Sequence, residues 1–210
     1  MKYIDLFESK NKPCIVVDVQ PEYAGVHDGQ DFDFIDDLME FLNNQTGPIL
    51  IFVNAEEHGL TPDTIDDVRI YWEDSGFNPE NWNRAEVIDK GYGYLRSWMD
   101  HPATSETDIV KTLRYMYQNR LQHSDEIPFE DFKQLVDIEQ MNEGDIEDLY
   151  YDPLEIYWAN VGELKAHSPA YLMGGGVNEC LAEVRLLMNA FNIKYTIIDK
   201  FTYGHGSCGF

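Results

Sequence analysis

The sequence predicts an α/β fold built on a doubly wound, mostly parallel sheet. Two observations indicate this fold: short apolar runs rich in β-branched residues recur along the chain, and segments of helical periodicity separate them. Units of strand, helix and strand form right-handed crossovers, which make the strands parallel and place helices on both faces of the sheet. The expected architecture is therefore three-layered and Rossmann-like, with a helical insertion between the third and fourth strands.

The elements can be assigned in chain order. The five predicted strands cover residues 13–18, 48–53, 85–89, 170–173 and 194–199. Helical periodicity spans residues 32–42, and Thr61 with Pro62 predicts a helix that reaches about Trp72, with proline at its first position. Another amphipathic helix, with apolar residues over 181–191, follows the fourth strand.

The stretch 102–164 departs from the alternation because its patterns are all helical. Ser105 and Asp108 have the spacing of a capping box, an apolar helical stripe follows them, and two shorter helical patterns come after it. We predict a single domain over residues 1–210 with this insertion inside it. A lid over a site, a packed elaboration and a subunit contact all fit the pattern.

Composition limits the classes of function. The chain has 39 acidic and 15 basic residues and a formal charge of −24, which argues against nucleic acid or an anionic membrane as a partner. No run approaches the length of a membrane span and the start lacks a secretion signal, so we expect a cytoplasmic protein. The three cysteines, Cys14, Cys180 and Cys208, are too few and too scattered for a disulfide framework or a four-ligand zinc site.

The segment from Gly174 to Cys180 carries the clearest chemical signal. It places Cys180 in the first turn of the predicted helix, where unpaired N–H groups and the helix dipole favour a thiolate. Three consecutive glycines allow the close backbone approach that an oxyanion-binding turn requires. A buried, unreactive cysteine after a glycine loop is the alternative interpretation.

A topological rule brings two further residues to Cys180. Ligands of doubly wound sheets bind beyond the carboxyl ends of the strands, and Asp18, Lys90 and Cys180 each follow such an end. Their chemistry is coherent: Asp18 takes the thiol proton, Lys90 stabilises the thiolate, and Cys180 attacks an electrophilic carbon. The sequence therefore predicts a catalytic triad at one edge of the sheet.

Three segments resemble the isochorismatase-like cysteine hydrolases, a family that includes nicotinamidases and several amidohydrolases. They are the strand end Val16–Tyr23 with its Asp-x-Gln-x-x-aromatic pattern, the strand end Val87–Tyr92 with its lysine, and the segment from Gly174 to Cys180. The resemblance implies the same triad of Asp18, Lys90 and Cys180. It also implies an amide-type C–N bond as the target and a dimer or larger homo-oligomer.

The resemblance carries further expectations about the nucleophile turn. It implies that the main-chain N–H groups of Gly176 and Cys180 form the oxyanion hole, and that a cis peptide joins Gly175 to Gly176. The chain departs from the family at Val177, where a threonine or serine is usual.

Several assignments around the site are less specific. The metal-binding Asp-x-His pattern of nicotinamidases is not matched by residues 54–58, so we predict no catalytic metal, no cofactor and a small amide or ureide other than nicotinamide as substrate. The candidate pocket residues are Gln20, Tyr23, Tyr92 and Trp98, although aromatic residues at this spacing also fill cores. Two rival functions remain open: a catalytically silent binding protein, and a thiol enzyme that pairs Cys180 with His205.

Overall fold

The computed structural model describes residues 10–25, 33–54, 62–90, 92–93, 95–102, 104–137 and 141–203. Within it the chain divides into two compact units. The first comprises Met1–Lys90, Ala166–Leu181 and Lys194–Phe210, and the second comprises Gly91–Lys165 and Ala182–Ile193. The assignment of the whole chain to one domain stays a prediction.

Seven strands and eight α-helices lie in the described residues. The strands are β1 (Cys14–Val17), β2 (Ile49–Val53), β3 (Ala85–Asp89), β4 (Tyr92–Gly93), β5 (Glu155–Ile156), β6 (Ala170–Gly174) and β7 (Tyr195–Ile197). The helices are α1 (Phe34–Asn43), α2 (Ile65–Asp74), α3 (Leu95–Asp100), α4 (Glu106–Asn119), α5 (Phe129–Leu135), α6 (Glu143–Tyr151), α7 (Trp158–Ala166) and α8 (Cys180–Ala190). None of these helices is both long and apolar enough to cross a bilayer.

The first unit contains a five-stranded sheet in the order β3-β2-β1-β6-β7, and every pairing in it is parallel. From β1 the chain adds β2 and β3 on one side and then β6 and β7 on the other. Right-handed crossovers in the two directions place their helices on opposite faces, which defines a doubly wound, three-layer α/β fold. The predicted fold class is confirmed, with the helical insertion between β3 and β6.

The three central strands of the sheet, β1, β2 and β6, are buried on both faces because they are apolar at successive positions. On one face Cys14, Ile51 and Met173 join a core that includes Leu38 of α1 and Trp72 of α2. Side chains of the opposite face are also fully buried, and they include Ile15, Leu50 and Leu172. Continuous apolar runs of this kind are what a parallel sheet covered on both sides requires.

Helix α2 begins later than the sequence predicts. Its cap is Thr64, whose hydroxyl accepts from the Asp67 N–H at 3.1 Å, while the Asp67 carboxylate accepts from the Thr64 N–H at 2.9 Å. This capping box satisfies the exposed N–H groups of the first turn, so the helix begins at Ile65 and Pro62 lies before it. The predicted start at Pro62 is wrong.

The second unit has its own aromatic core. Trp98 is fully buried, packs edge-on against Phe132 at 5.8 Å and donates its indole N–H to the Asp152 carbonyl at 2.8 Å. The predicted capping box of Ser105 and Asp108 opens α4 and is confirmed. The antiparallel pair of β4 and β5 also belongs to this unit.

Candidate active site

The register of the sheet aligns the residues that follow β1, β2 and β3. Val17 pairs with Phe52, and Val53 pairs with Asp89, so the three strands end at nearly the same level. The next residues along the chain are Asp18, Asn54 and Lys90. The parallel fold thereby gathers a carboxylate, an amide and an ammonium group at one edge of the sheet.

Asp18 and Lys90 form a buried ion pair. The Lys90 Nζ lies 2.6 Å from the Asp18 Oδ2, and the two side chains are 1% and 0% exposed. Removing two charges from water costs several kcal/mol per ion, so each charge depends on its partner. The Asn54 amide lies at the limit of hydrogen bonding to the same carboxylate oxygen, at 3.5 Å.

The other oxygen of the Asp18 carboxylate is available. The Oδ1 atom is buried and has no hydrogen-bond partner in the part of the chain that the structure describes. A buried acceptor without a partner costs about 1–3 kcal/mol, and such exceptions need an explanation. One explanation is that Oδ1 is a proton acceptor, which receives a hydrogen bond only from a thiol or a bound substrate.

The Asp18 main chain is held in an unusual conformation. Its φ of 51° lies in the left-handed region, which residues other than glycine seldom adopt. The Asp18 N–H donates to the Phe52 carbonyl at 2.8 Å, and the Asp18 carbonyl accepts from the Tyr203 hydroxyl at 2.5 Å. These two bonds fix the peptide groups on either side of the carboxylate.

The glycine turn that precedes Cys180 follows β6. Gly174 and Gly175 have φ angles of 81° and 55°, and a Cβ at Gly174 would overlap the Val17 carbonyl of β1. Glycine is therefore required where the turn passes over the end of β1. Cys180 is the first residue of α8 and is partly exposed, so its thiol lies at a helix N-terminus as predicted. The bond between Gly175 and Gly176 is trans, so the expected cis peptide there is wrong; the cis peptide found in the described residues joins Ser168 to Pro169.

Two tyrosines report that Cys180 and the ion pair share one electrostatic environment. Burial raises the pKa of Tyr23 to about 12, with smaller contributions in the same direction from the nearby Asp18 and Cys180. Burial also raises the pKa of Tyr203 well above its usual value, again with contributions from Asp18 and Cys180, while Lys90 acts in the opposite direction. Cys180 and Asp18 therefore both lie close enough to Tyr23 and Tyr203 to affect the pKa of these two hydroxyls.

Gln20, Asn54, Asp63 and Tyr23 form a polar network that the sequence analysis did not predict. The Gln20 amide donates to the Asn54 carbonyl at 2.9 Å and accepts from the Asn54 N–H at 3.0 Å. It also donates to the Asp63 carboxylate at 2.8 Å, and Asn54 donates to the Tyr23 hydroxyl at 3.3 Å. Gln20 is fully buried, so these contacts give it a structural role in the loop after β1.

The remaining predicted site residues fall into two groups, those with described contacts and those outside the described residues. Trp98 has the contacts of a core residue of the second unit. The side chain of Tyr92 lies outside the described residues, as do His205 and the histidine of the segment 54–58, His58. The oxyanion-hole role of Gly176 and Cys180 and the pocket roles of Gln20, Tyr23, Tyr92 and Trp98 stay predictions. Among the residues that are described, no three His, Cys, Asp or Glu side chains are grouped to hold a metal ion.

No family model, no curated protein and no solved structure matches this chain.

Proposed function

We propose that the protein is a cysteine hydrolase that cleaves an amide-type C–N bond of a small molecule. The observation that carries the proposal is the Asp18 carboxylate, which has one oxygen paired with Lys90 and the other buried without a partner. A carboxylate held by an ammonium group and unable to reach water has a free lone pair for a thiol proton. Cys180, at the N-terminus of α8, supplies the thiol.

The reaction would proceed through a thioester. Asp18 accepts the proton of Cys180, and the sulfur adds to the substrate carbonyl carbon while turn N–H groups stabilise the oxyanion. The C–N bond then breaks as Asp18 returns the proton to the leaving nitrogen. Water attacks the thioester with Asp18 again as the base, which releases the acid and restores the thiol.

Lys90 has two roles in this scheme. Its ammonium group pairs with the buried Asp18 carboxylate, and its positive charge offsets the negative charge of the thiolate. This matters in a chain with a formal charge of −24, whose field disfavours another anion. The resemblance to isochorismatase-like hydrolases supports the same assignment. The proposal includes a homo-oligomeric state, which the resemblance supports, and a cytoplasmic location, which the composition supports.

The direct test is release of ammonia from a panel of small amides and ureides. We expect wild type and Cys14→Ala to be active and Cys180→Ala to be inactive, because Cys14 is buried in β1 and takes no part in the reaction. Cys180→Ala with full activity would contradict the proposal. Loss of activity in His205→Ala but not in Lys90→Ala would favour the Cys–His enzyme, and absence of turnover with an unreactive Cys180 would favour the silent binding protein.

A further inference from the structure

Tyr203 connects the segment that carries the base to the turn that precedes the nucleophile. Its hydroxyl donates to the Asp18 carbonyl at 2.5 Å. Its main chain pairs with the glycine turn: the Tyr203 N–H donates to the Gly175 carbonyl at 3.2 Å, and the Val177 N–H donates to the Tyr203 carbonyl at 3.1 Å. One residue thus forms three hydrogen bonds to two segments that lie far apart in the sequence.

These bonds act on parts of the chain that lie outside its strands and helices. Asp18 has left β1 and has the left-handed φ of 51°, and residues 175–179 lie between β6 and α8. Tyr203 is itself held firmly, because it is 5% exposed and its ring packs edge-on against Phe34 of α1 at 5.5 Å. It is therefore a rigid support for both segments.

We propose that Tyr203 is a positioning residue that sets the separation between the Asp18 base and the Cys180 nucleophile. The proposal rests on the proposed function. The hydroxyl prevents the Asp18 peptide from rotating to an ordinary φ, and the main-chain pair prevents the turn from moving away from the sheet edge. In the hydrolases that this chain resembles, a serine or threonine is usual at the position of Val177. Here the Val177 N–H donates to the Tyr203 carbonyl, so the main chain and not a side-chain hydroxyl holds the turn.

The test measures the reactivity of Cys180 without a known substrate. The probe is iodoacetamide, and alkylation is followed by mass spectrometry of the tryptic peptide 166–185, in which Cys180 is the single cysteine. At pH 7 the reaction needs a base that accepts the thiol proton, whereas at pH 10 free thiolate forms without one. The ratio of the two rate constants therefore reports the action of Asp18.

We expect Tyr203→Phe, which keeps the ring and removes the hydroxyl, to react about 10-fold more slowly at pH 7, since small misplacements of reacting groups are costly. At pH 10 it should react within about twofold of wild type. Asp18→Asn should lose the same low-pH reactivity, and the double variant should be no slower than Asp18→Asn alone, because Tyr203 acts through Asp18.

Two controls separate positioning from simple support of the fold. Tyr150→Phe removes a hydroxyl that donates to main-chain carbonyls of Asp125 and Ile127 at 3.0 and 3.1 Å, and Tyr115→Phe removes a hydroxyl that donates to Asp131 at 2.8 Å, both in the second unit. Both should keep the wild-type pH profile, with folding verified by thermal unfolding. If Tyr203→Phe does not fold, Tyr203→Met removes the hydroxyl while filling the volume flexibly.

Each outcome decides between the two proposals. A wild-type profile for Tyr203→Phe beside a slow Asp18→Asn would overturn the positioning role and leave the proposed function standing. Equal slowing of Tyr203→Phe at both pH values, or the same profile in Tyr150→Phe, would also overturn it, since neither depends on the base. A wild-type profile for Asp18→Asn would refute the proposed function, and the positioning role with it.

Discussion

Replacing Lys90 with methionine should destabilise the protein strongly, because Asp18 would keep its burial and lose its counter-charge. The pair is 2.6 Å apart with side chains at most 1% exposed, and breaking a buried pair of this kind costs about 3–5 kcal/mol. With a urea dependence of about 2 kcal/mol per molar, the unfolding midpoint should fall by roughly 1.5–2.5 M. Tryptophan fluorescence during urea titration measures it.

Lys200→Met is the matched control. Its ammonium lies 2.5 Å from the Asp37 carboxylate, so the contact is as short as that of Lys90, but the two side chains are 32% and 36% exposed. Exposed pairs contribute about 0–1 kcal/mol, so the midpoint should move by less than about 0.5 M. Equal effects of the two substitutions would refute the reasoning, because burial would then not determine the strength of the pair.

Three further predictions concern stability, each measured as a change in the urea midpoint. Gly174→Ala should prevent stable folding because its Cβ would overlap a strand carbonyl, whereas Gly162→Ala, with open space around it in α7, should add about 0.5–1 kcal/mol. Burial raises the pKa of Cys14 to about 12, so stability should fall as pH rises above about 9, by roughly 1.4 kcal/mol per unit, and Cys14→Ala should lose that contribution. Gln20→Leu should cost about 2 kcal/mol, because it removes the amide that bonds to both main-chain groups of Asn54 and one donor of the buried Asp63 carboxylate, which keeps the Glu22 N–H. Contrary results would be a folded Gly174→Ala, an unchanged pH slope in Cys14→Ala, or an unchanged midpoint in Gln20→Leu.

Local patterns predict the central sheet well. The runs at β1, β2 and β6 are apolar at every position, and this is the pattern of strands buried on both faces. That Asp18 and Lys90 lie at the same edge of the sheet follows from the parallel direction of the strands, since each residue comes directly after a strand. Those parts of the fold and of the candidate site are fixed by features that can be read over a few residues.

The missed features depend on distant partners or on competing local signals. The start of α2 offered two signals, proline at a first helical position and a capping box, and the box at Thr64 and Asp67 prevailed because it satisfies N–H groups. The pairing of β4 with β5 joins two-residue strands with no local pattern. The hydrogen bonds of Gln20 with Asn54 and of Tyr203 with Asp18 span 34 and 185 positions of the sequence, and no local pattern in a single sequence indicates them.

The hydrogen bond between Asp18 and Tyr203 also bears on the order of events during synthesis. Residue 18 leaves the ribosome early, whereas its partner is made 185 positions later, so a nascent chain that stops short of residue 203 lacks the contact. Contacts of such long range form late in folding because the loop between them must first be closed. The link between the end of β1 and the turn before Cys180 therefore forms only after the last described strand, β7, has been translated.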